Sequence, residues 1–377
     1  IAAVLDRVLA DPDESIGVGE IVTPAERDAQ ERWQSPPAVR PSSVDVAGRV
    51  SASLRSMGDA VAIEEGDRTL TGSELDDRIG QVATWFRREG IGVGDRIAIR
   101  RSRSIDAVVL IHAALRAGAT FVPLDPADPS ARHDRIIDDA AITRVFDAVP
   151  DDLPELADPP AVVDPDVTAY VLYTSGSTGL PKGVPISRRG LDDYLTFAGV
   201  AYVDGDRPPT IALHSSLVFD LTITSLFLPL LSGGRAVVFP GDGPTALAGV
   251  AADPRIDWLK ATPSQLELIV HMSEGELPYR TLVVGGEAFR RPLAQRLVDR
   301  CGPGVAIYNE YGPTEAVVGC MIHRFDPDLD TGPDVPIGAP TPGSEARLLD
   351  AYGRPVPLGT WGELWVRRPG MAEAYLH

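Results

Sequence analysis

Cysteine is nearly absent from this chain: Cys301 and Cys320 are the only two in 377 residues. Two thiols cannot form the disulfide framework of a small secreted protein, and they suit a reducing cytoplasm. The six histidines are scattered, and neither a His-x-x-x-His nor a Cys-x-x-Cys spacing occurs. A structural zinc site is therefore not predicted.

Long apolar runs and an excess of basic charge are also missing. The longest apolar segment, residues 107–124, is interrupted by His112 and Arg116, whereas a membrane helix needs about 20 apolar residues. No signal peptide is visible. The 35 basic and 54 acidic side chains give a net charge of −19, and the densest basic stretch, residues 96–103, is interrupted by apolar residues. We therefore predict a soluble, cytoplasmic protein with no membrane or nucleic-acid partner.

What is present is a chain with 44% hydrophobic residues, long enough for two or three compact units. Ile1 is not an initiator residue and His377 follows an apolar segment, so we expect a piece of a longer protein. Residues 21–27 predict a short helix with an N-terminal cap. Residues 34–43 hold three prolines and three serines and predict a linker, with an irregular N-terminal arm as the alternative.

From residue 44 onward, strand-like and helix-like segments alternate. Residues 60–64 and 68–70 predict a hairpin, residues 73–88 an amphipathic helix, and residues 96–140 further strands and helices in turn. Such alternation is typical of an α/β fold in which helices cover a parallel sheet. Near the end, residues 346–349 and 362–367 predict short strands of a small barrel or antiparallel sheet.

Two glycine-rich segments differ in their context. Residues 90–94 follow a predicted helix and precede a strand, the reverse of a dinucleotide-binding fingerprint, and they predict a turn. Residues 173–183 follow an apolar strand and contain four Ser or Thr hydroxyls, three glycines and Lys182. Backbone N–H groups and hydroxyls in such a loop can surround phosphate oxygens, while Lys182 neutralises charge. Because Lys182 precedes Gly183, the loop is not a Walker-type P-loop.

This loop resembles the phosphate-binding signature of the adenylate-forming superfamily. Four further segments, in the same order along the chain, resemble core motifs of one branch, the adenylation domains of nonribosomal peptide synthetases: residues 115–126, Phe219-Asp220, residues 309–315 and residues 362–366. The similarity covers about residues 44–377. Gly72 stands where the family usually has tyrosine, and residues 367–375 replace a commoner glycine-rich ending.

The resemblance implies a fold and a domain order. The fold would be α/β, the large N-terminal core of these enzymes, with two αβα subdomains and a distorted β-barrel. We place a condensation-domain tail and linker at residues 1–43, the first subdomain at 44–165, the second at 166–330 and part of the barrel at 331–377. The mobile C-terminal lobe with its catalytic lysine is expected beyond residue 377, so this chain alone is expected to adenylate slowly.

The resemblance also implies a reaction, in which ATP converts a carboxylate to an acyl-adenylate and pyrophosphate. The acyl group then passes to the phosphopantetheine thiol of a carrier domain, so ATP, Mg²⁺ and phosphopantetheine are the implied cofactors. The residues expected to hold the phosphates are Thr174, Ser175, Gly176, Ser177, Thr178, Gly179 and Lys182. Thr314 would contact the α-phosphate and complete a catalytic set with Thr174, Lys182 and Glu315. Glu315 would bind Mg²⁺, which prefers carboxylate oxygens.

The nucleotide base would lie against the end of the fifth motif. By resemblance, Tyr311 would stack on adenine. The other residues expected around the ATP are Gly285, Gly286, Glu287, Asn309, Glu310 and Gly312.

Asp220 lies between two apolar runs, where an unpaired buried carboxylate would be costly. In amino-acid-activating members of the family, an aspartate at this place pairs with the α-ammonium of the substrate. Family members whose substrate acids have no α-amine generally lack this aspartate. Asp220 therefore favours an α-amino acid, while an N-cap of the next helix is the alternative role.

The same resemblance implies a pocket for the amino-acid side chain, formed by Asp220, Leu221, Thr224, Lys260, Val283, Gly285, Glu310, Val318 and Gly319. A large apolar substrate would leave Lys260 and Glu310 unpaired, and a charged one would face a like charge in one of them. A short amide satisfies both, because its oxygen accepts from Lys260 and its NH2 donates to Glu310. The set is similar to that of asparagine-activating domains, with Val283 where leucine is commoner.

We therefore predict asparagine or a β-substituted asparagine as the substrate, followed by aspartate or a β-substituted aspartate. The alternative is that Lys260 and Glu310 pair with each other and leave a small neutral pocket. Rival functions are an acyl- or aryl-CoA ligase of the same superfamily and a nucleotide-binding core that is inactive without its C-terminal lobe. The implied partners are the carrier and condensation domains of one assembly line. A small MbtH-like protein, which binds this family near residues 117–119, is a further candidate.

Overall fold

We describe the chain from a computed structural model, which covers residue 9 and residues 22–37, 45–155, 157–175, 180–205, 207–241 and 243–376. Its helices are α1 (Pro24–Gln34), α2 (Val46–Met57), α3 (Gly72–Arg88), α4 (Ile105–Ala117), α5 (Ser130–Asp139), α6 (Arg188–Tyr202), α7 (Leu221–Leu231), α8 (Gly243–Ala252), α9 (Pro263–Met272) and α10 (Arg291–Cys301). A 3-10 turn spans Thr314–Ala316.

The strands alternate with these helices. They are β1 (Val61–Glu65), β2 (Arg68–Thr71), β3 (Arg96–Arg100), β4 (Thr120–Leu124), β5 (Arg144–Phe146), β6 (Thr168–Ser175), β7 (Pro181–Ser187), β8 (Thr210–Leu213), β9 (Arg235–Val238), β10 (Trp258–Ala261), β11 (Thr281–Gly285), β12 (Ala306–Tyr311), β13 (Met321–Arg324), β14 (Ala339–Pro340), β15 (Glu345–Leu349) and β16 (Glu363–Arg367).

The strands form two large mixed sheets and one small one. The first has the order β14-β13-β12-β11-β10-β8-β9-β1-β2 and is parallel from β12 to β1. The second has the order β5-β3-β4-β6-β7 and is parallel from β5 to β6. β15 and β16 form a separate antiparallel pair. The predicted parallel sheets and the short antiparallel strands near the end are both confirmed.

A layer of helices lies between the two large sheets. Inward-facing residues of both sheets pack on α2, α3, α4, α6 and α7 in one continuous core. The outer face of the nine-stranded sheet packs on α8, α9 and α10, and that of the five-stranded sheet on α5. Because α4 is enclosed on all sides, all of its residues except Asp106 are buried. This position explains why apolar residues occur on every face of the helix, while the buried His112 and Arg116 bond to the Leu226 carbonyl and the Asp76 carboxylate.

Local sequence explains several element boundaries. Thr23, Thr71 and Thr262 each precede a helix and form a capping box with it. The threonine hydroxyl accepts a hydrogen bond from the N–H of the third helical residue, and the side chain of that residue accepts one from the N–H of the threonine. Gly118 ends α4 with a φ of 95°, a left-handed conformation that glycine adopts readily. The predicted helix capped by Thr23 is confirmed, but it extends beyond residue 27 to Gln34. The predicted turn at residues 90–94 is also confirmed.

The order of the strands along the chain does not predict which sheet each strand joins. β1 and β2 join the nine-stranded sheet although β3 to β7 follow them, and β6 and β7 join the five-stranded sheet although they lie beyond residue 165. The division of the core at residues 165 and 330 stays a prediction about domains. Residues 38–43 of the predicted linker lie outside the described residues. Within the described ranges, no helix combines the length and apolarity needed to cross a membrane.

Candidate active site

The candidate site lies at the carboxyl ends of neighbouring parallel strands in the nine-stranded sheet. β10 carries Lys260, β11 ends at Gly285, and β12 ends with Glu310 and Tyr311. The register places Lys260 beside Val283 and Gly285 beside Glu310. This edge of a parallel sheet is the usual place for a ligand in α/β folds.

A cavity of about 530 Å³ opens at this edge. Its predicted amino-acid side consists of Asp220, Leu221, Lys260, Glu310 and Val318. Its predicted nucleotide side consists of Gly285, Gly286, Glu287, Asn309, Tyr311 and Gly312. Lining residues that the sequence patterns did not indicate are Ala288, Phe289, Asp334, Val335 and Ile337. One continuous cavity thus joins the two predicted groups, as a reaction between a nucleotide and an amino acid requires.

Asp220 lies immediately before α7 but does not cap it with its side chain. Its Oδ2 atom instead accepts a hydrogen bond of 2.9 Å from the hydroxyl of Thr314. Burial raises the pKa of Asp220 above its ordinary value. A cation bound at this carboxylate would offset that cost of burial, whereas the alternative role as a helix cap is not observed.

Lys260 and Glu310 form a buried ion pair at the surface of the cavity. Their side chains are only 1% and 2% exposed. Lys260 also donates to the hydroxyls of Tyr194 at 3.0 Å and Thr224 at 2.9 Å. The two charged side chains are therefore already paired with each other, as the alternative interpretation of the pocket predicted.

Two tyrosines that the sequence analysis missed complete this network. Tyr194 and Tyr202 both donate to Oε1 of Glu310, at 3.0 and 2.8 Å. Burial raises the pKa of both phenols well above its ordinary value, and the Glu310 carboxylate raises it further. Both hydroxyls therefore remain protonated donors. Helical periodicity could have predicted that both phenols are buried in α6, but it does not indicate Glu310 as their partner.

The remaining predicted pocket residues surround this pair. Val283 is fully buried on the strand beside Lys260. Gly319 packs directly against Glu310, because a Cβ atom at position 319 would lie 2.4 Å from Cγ of Glu310. A side chain at position 319 would therefore displace the carboxylate that pairs with Lys260.

At the nucleotide end, Tyr311 presents an exposed ring beside the cavity. Such a ring is available for stacking on a flat base. Asn309 is buried, and its Nδ2 atom donates to the carbonyls of Val335 at 2.9 Å and Pro336 at 3.0 Å. Its amide thus fixes the segment that forms another part of the cavity wall.

The predicted phosphate-binding segment joins the two strands of a β-hairpin. Thr174 on β6 lies opposite Lys182 on β7, and β6 ends at Ser175. The predicted strand before the loop is therefore confirmed. Four residues of the predicted loop lie outside the described residues: Gly176, Ser177, Thr178 and Gly179. The ammonium of Lys182 lies 4.9 Å from the centre of the Tyr375 ring.

Glu315 follows Thr314 in the short turn after β12. The hydroxyl of Tyr375 donates to Glu315 Oε1 at 2.6 Å, so Tyr375 contacts two of the four predicted catalytic side chains, Lys182 and Glu315. In the part of the chain that the structure describes, no cluster of His, Cys, Asp or Glu could hold a metal unaided. Magnesium at nucleotide sites needs only one or two carboxylates besides the phosphates, so Glu315 fits an ion bound together with ATP.

A second cavity, of about 730 Å³, also reaches Asp220. It shares Asp220, Leu221 and Gly286 with the first cavity, and its wall includes residues 214–219 before α7. Ser216 in this wall donates to Asp125 at 2.9 Å. Asp220 therefore lines both cavities.

Comparison with known proteins supports a nucleotide-binding site at this place. The family model of the AMP-binding enzymes matches residues 50–376. Tyrocidine synthase 3 of Brevibacillus parabrevis is 38% identical over 336 residues, which are 84% of this chain and 5% of that protein. Bacitracin synthase 3 of Bacillus licheniformis is 34% identical over 393 residues, which are 99% of this chain and 6% of that protein. The chain thus spans about a twentieth of the length of these relatives.

Solved structures give the same result. A structure of the nonribosomal peptide synthetase FmoA3 bound to AMPPNP matches with a TM-score of 0.88 at 26% identity, over 100% of this chain and 43% of that chain. FmoA3 bound to α-methyl-L-serine-AMP also matches with a TM-score of 0.88, at 25% identity, over 100% of this chain and 45% of that chain. The predicted fold is confirmed. The chain therefore belongs to the AMP-binding enzyme family, and within it to the amino-acid-adenylating ligase domains of nonribosomal peptide synthetases.

Proposed function

We propose that this chain activates an α-amino acid with ATP for loading onto the phosphopantetheine thiol of a carrier domain. A carboxylate oxygen of the amino acid attacks the α-phosphorus of ATP, and the bond from that phosphorus to the bridging oxygen breaks. The products are aminoacyl-AMP and pyrophosphate. The observation that carries this proposal is the single cavity that joins Asp220 to Tyr311.

Positioning and charge neutralisation supply most of the catalysis in such a displacement. Lys182 and the hydroxyls of the hairpin would bind the phosphates, with Tyr311 holding the base. Glu315 would hold Mg²⁺, which when bound neutralises phosphate charge. The Thr314 hydroxyl contacts Asp220 and so links the amino-acid residues to the turn that carries Glu315.

Asp220 would pair with the α-ammonium of the substrate. Asp220 lines the cavity, its pKa is raised by burial, and its carboxylate accepts a hydrogen bond from the Thr314 hydroxyl. An ammonium group would bring a positive charge and up to three further donors to this carboxylate. This arrangement favours an amino acid over an aryl or fatty acid.

For the substrate side chain we propose the amide of asparagine or a β-substituted asparagine. The pair of Lys260 and Glu310 is neutral as a unit, so a charged side chain would add an uncompensated buried charge. A neutral amide adds none, and its oxygen can approach Lys260 while its NH2 approaches Glu310. Aspartate is the second candidate, and its carboxylate would need a protonated Glu310 or a second cation nearby. A small side chain that leaves the pair undisturbed is the alternative.

Amino-acid-dependent exchange of pyrophosphate with ATP tests both proposals. It is measured on the full-length protein that carries this chain. The panel contains asparagine, aspartate, their β-substituted forms, 2,3-diaminopropionate, glutamine, alanine, leucine and several aryl acids. We expect the exchange rate with an asparagine-type substrate to exceed the rate with aspartate by about tenfold or more. A tenfold ratio corresponds to about 1.36 kcal/mol of discrimination between the two substrates.

Other outcomes would contradict specific parts of the proposal. A maximum at aspartate would show that Glu310 is protonated or turned away, and one at alanine would favour the small neutral pocket. Exchange only with acids that lack an α-amine would overturn the amino-acid proposal in favour of an acyl- or aryl-CoA ligase. No exchange with any acid, despite ATP binding, would leave a nucleotide-binding core.

The second cavity is the route we propose for the carrier thiol. While aminoacyl-AMP fills the first cavity, the thiol must reach the acyl carbon near Asp220 by another path, and the second cavity supplies one. Val218→Trp, on its wall, is expected to lower aminoacyl transfer to the carrier about tenfold or more and to change exchange less than about twofold. Radiolabelled loading of the carrier measures the transfer. Equal loss of both activities would contradict this route.

The partners follow from the proposed reaction. We propose the carrier and condensation domains of one assembly line as partners, and cytoplasm as the location. An MbtH-like protein that binds near residues 117–119 is a further proposal. Co-purification of the full-length protein with and without such a helper, followed by the exchange assay, tests it.

A further inference from the structure

Arg368, the first residue after β16, is buried although neither proposed substrate needs it. It is 4% exposed. Its Nη1 atom donates to three main-chain carbonyls, those of Gly319 at 2.9 Å, Val317 at 3.3 Å and Ala316 at 3.4 Å. Among the described residues it forms no ion pair with a carboxylate. Burying a guanidinium is costly, so these three bonds indicate a positional role.

The carbonyls belong to a turn with an unusual backbone. Val317 has a φ of 60° and Val318 a φ of 65°. β-Branched residues rarely adopt this left-handed conformation, and it persists only where surrounding contacts impose it. The N–H of Gly319 donates to the Val317 carbonyl at 2.8 Å inside the turn. Arg368 donates to the same Val317 carbonyl from outside the turn, and it also donates to the carbonyls of Ala316 and Gly319.

This turn forms part of the amino-acid pocket. Val318 lines the cavity, and Gly319 packs against the side chain of Glu310. The guanidinium carbon of Arg368 also lies 6.0 Å from the ring centre of Tyr194, which donates to Glu310. A shift of the turn would therefore move a wall of the pocket and loosen the packing of Glu310 together.

We propose that Arg368 is a positioning residue for amino-acid selectivity. It holds residues 316–319 in the conformation that sets Val318 against the substrate side chain and Gly319 against Glu310. Arg368 itself lines neither of the two cavities described above. This inference rests on the proposed adenylation activity but not on which amino acid is preferred.

The test compares Arg368→Met and Arg368→Lys with the wild type and with Arg367→Met. Arg367 is the exposed neighbour on β16 and serves as a matched control. Pyrophosphate exchange gives KM for the best amino acid, KM for ATP and the preference over the second-best amino acid. Thermal unfolding of each purified variant reports on folding.

We expect Arg368→Met to raise KM for the amino acid about tenfold and to reduce the preference at least fivefold, with KM for ATP changed less than about twofold. Arg368→Lys should show a smaller change in the same direction, because one ammonium cannot reproduce the guanidinium fork. Arg367→Met should match the wild type. If the methionine variant does not fold, the lysine variant decides.

Two results would overturn the inference. One is a folded Arg368 variant with unchanged amino-acid KM and preference. The other is an equal rise of both KM values, which would indicate a general structural role. Failure of the adenylation proposal is distinguishable, because the wild type would then show no amino-acid-dependent exchange at all.

Discussion

Replacing Asp220 with asparagine is expected to lower kcat/KM for the amino acid roughly 30- to 5000-fold without destabilising the protein. Removing one charge of a desolvated pair costs about 2–5 kcal/mol, and each 1.36 kcal/mol corresponds to a factor of ten. The asparagine has the same shape, and its side-chain oxygen can still accept the hydrogen bond from Thr314. Pyrophosphate exchange at varied amino-acid concentration measures the effect, and KM for ATP should change little.

The expected stability follows from the raised pKa of Asp220, which burial causes. Since the folded protein binds this proton more tightly than the unfolded chain, the stabilisation is fully present below the unfolded-state pKa. It is lost as the pH rises through the folded-state pKa. Above the folded-state pKa the ionised carboxylate therefore opposes folding, and Asp220→Asn removes that cost. Thermal unfolding at pH 7 should give an equal or higher Tm.

The same raised pKa predicts a pH dependence. In the wild type, kcat/KM for the amino acid should fall as the pH falls through the pKa of Asp220, because a neutral carboxyl cannot balance the α-ammonium. The asparagine variant should lack this decline. Asp193→Asn is the matched control, since burial also raises the pKa of Asp193, which lines neither described cavity. An asparagine variant at position 220 with unchanged amino-acid KM would contradict the role of Asp220.

Residues that lie within contiguous motifs could be predicted from the sequence. Asp220, Tyr311 and Lys182 each belong to a short segment whose order along the chain indicates its use, and the structure places the first two at one cavity. Strands and helices were predictable for the same reason, since their periodicity is local. Assignment to a sheet is not local. The hairpin of β1 and β2 pairs with β9, more than 160 residues later, and no pattern within residues 61–71 encodes that partner.

The side-chain network of the proposed amino-acid pocket also depends on long-range contacts that local sequence does not encode. Lys260 and Glu310 lie on strands separated by β11, and their pairing depends on side-chain conformations that residue types do not determine. Tyr194 and Tyr202 approach from a helix outside every motif. Arg368 acts through the backbone of another segment, so its role could not be inferred from its own neighbours in the sequence.

Glu310→Gln is the second substitution with a large expected effect. Removing one partner of a buried ion pair leaves an uncompensated charge, so the free energy of unfolding should fall by about 3–5 kcal/mol. The single amide oxygen of glutamine cannot replace both carboxylate oxygens, which accept from Lys260 and from the two tyrosine hydroxyls. Urea denaturation measures the loss. Glu267→Gln breaks an exposed pair with Arg296 and should cost less than about 1 kcal/mol.

The same variant should narrow the preference for asparagine over aspartate. With Glu310 neutral, Lys260 lacks a counterion, and the side-chain carboxylate of aspartate can supply one. Aspartate should therefore raise the Tm of the variant more than asparagine does, the reverse of the wild type. The double variant Lys260→Met/Glu310→Gln should regain much of the stability, because no buried charge remains unpaired, yet it should distinguish the two substrates poorly. An unchanged ratio of asparagine to aspartate exchange in Glu310→Gln would mean that the substrate side chain does not contact this pair, and only the alternative of a small neutral pocket would remain.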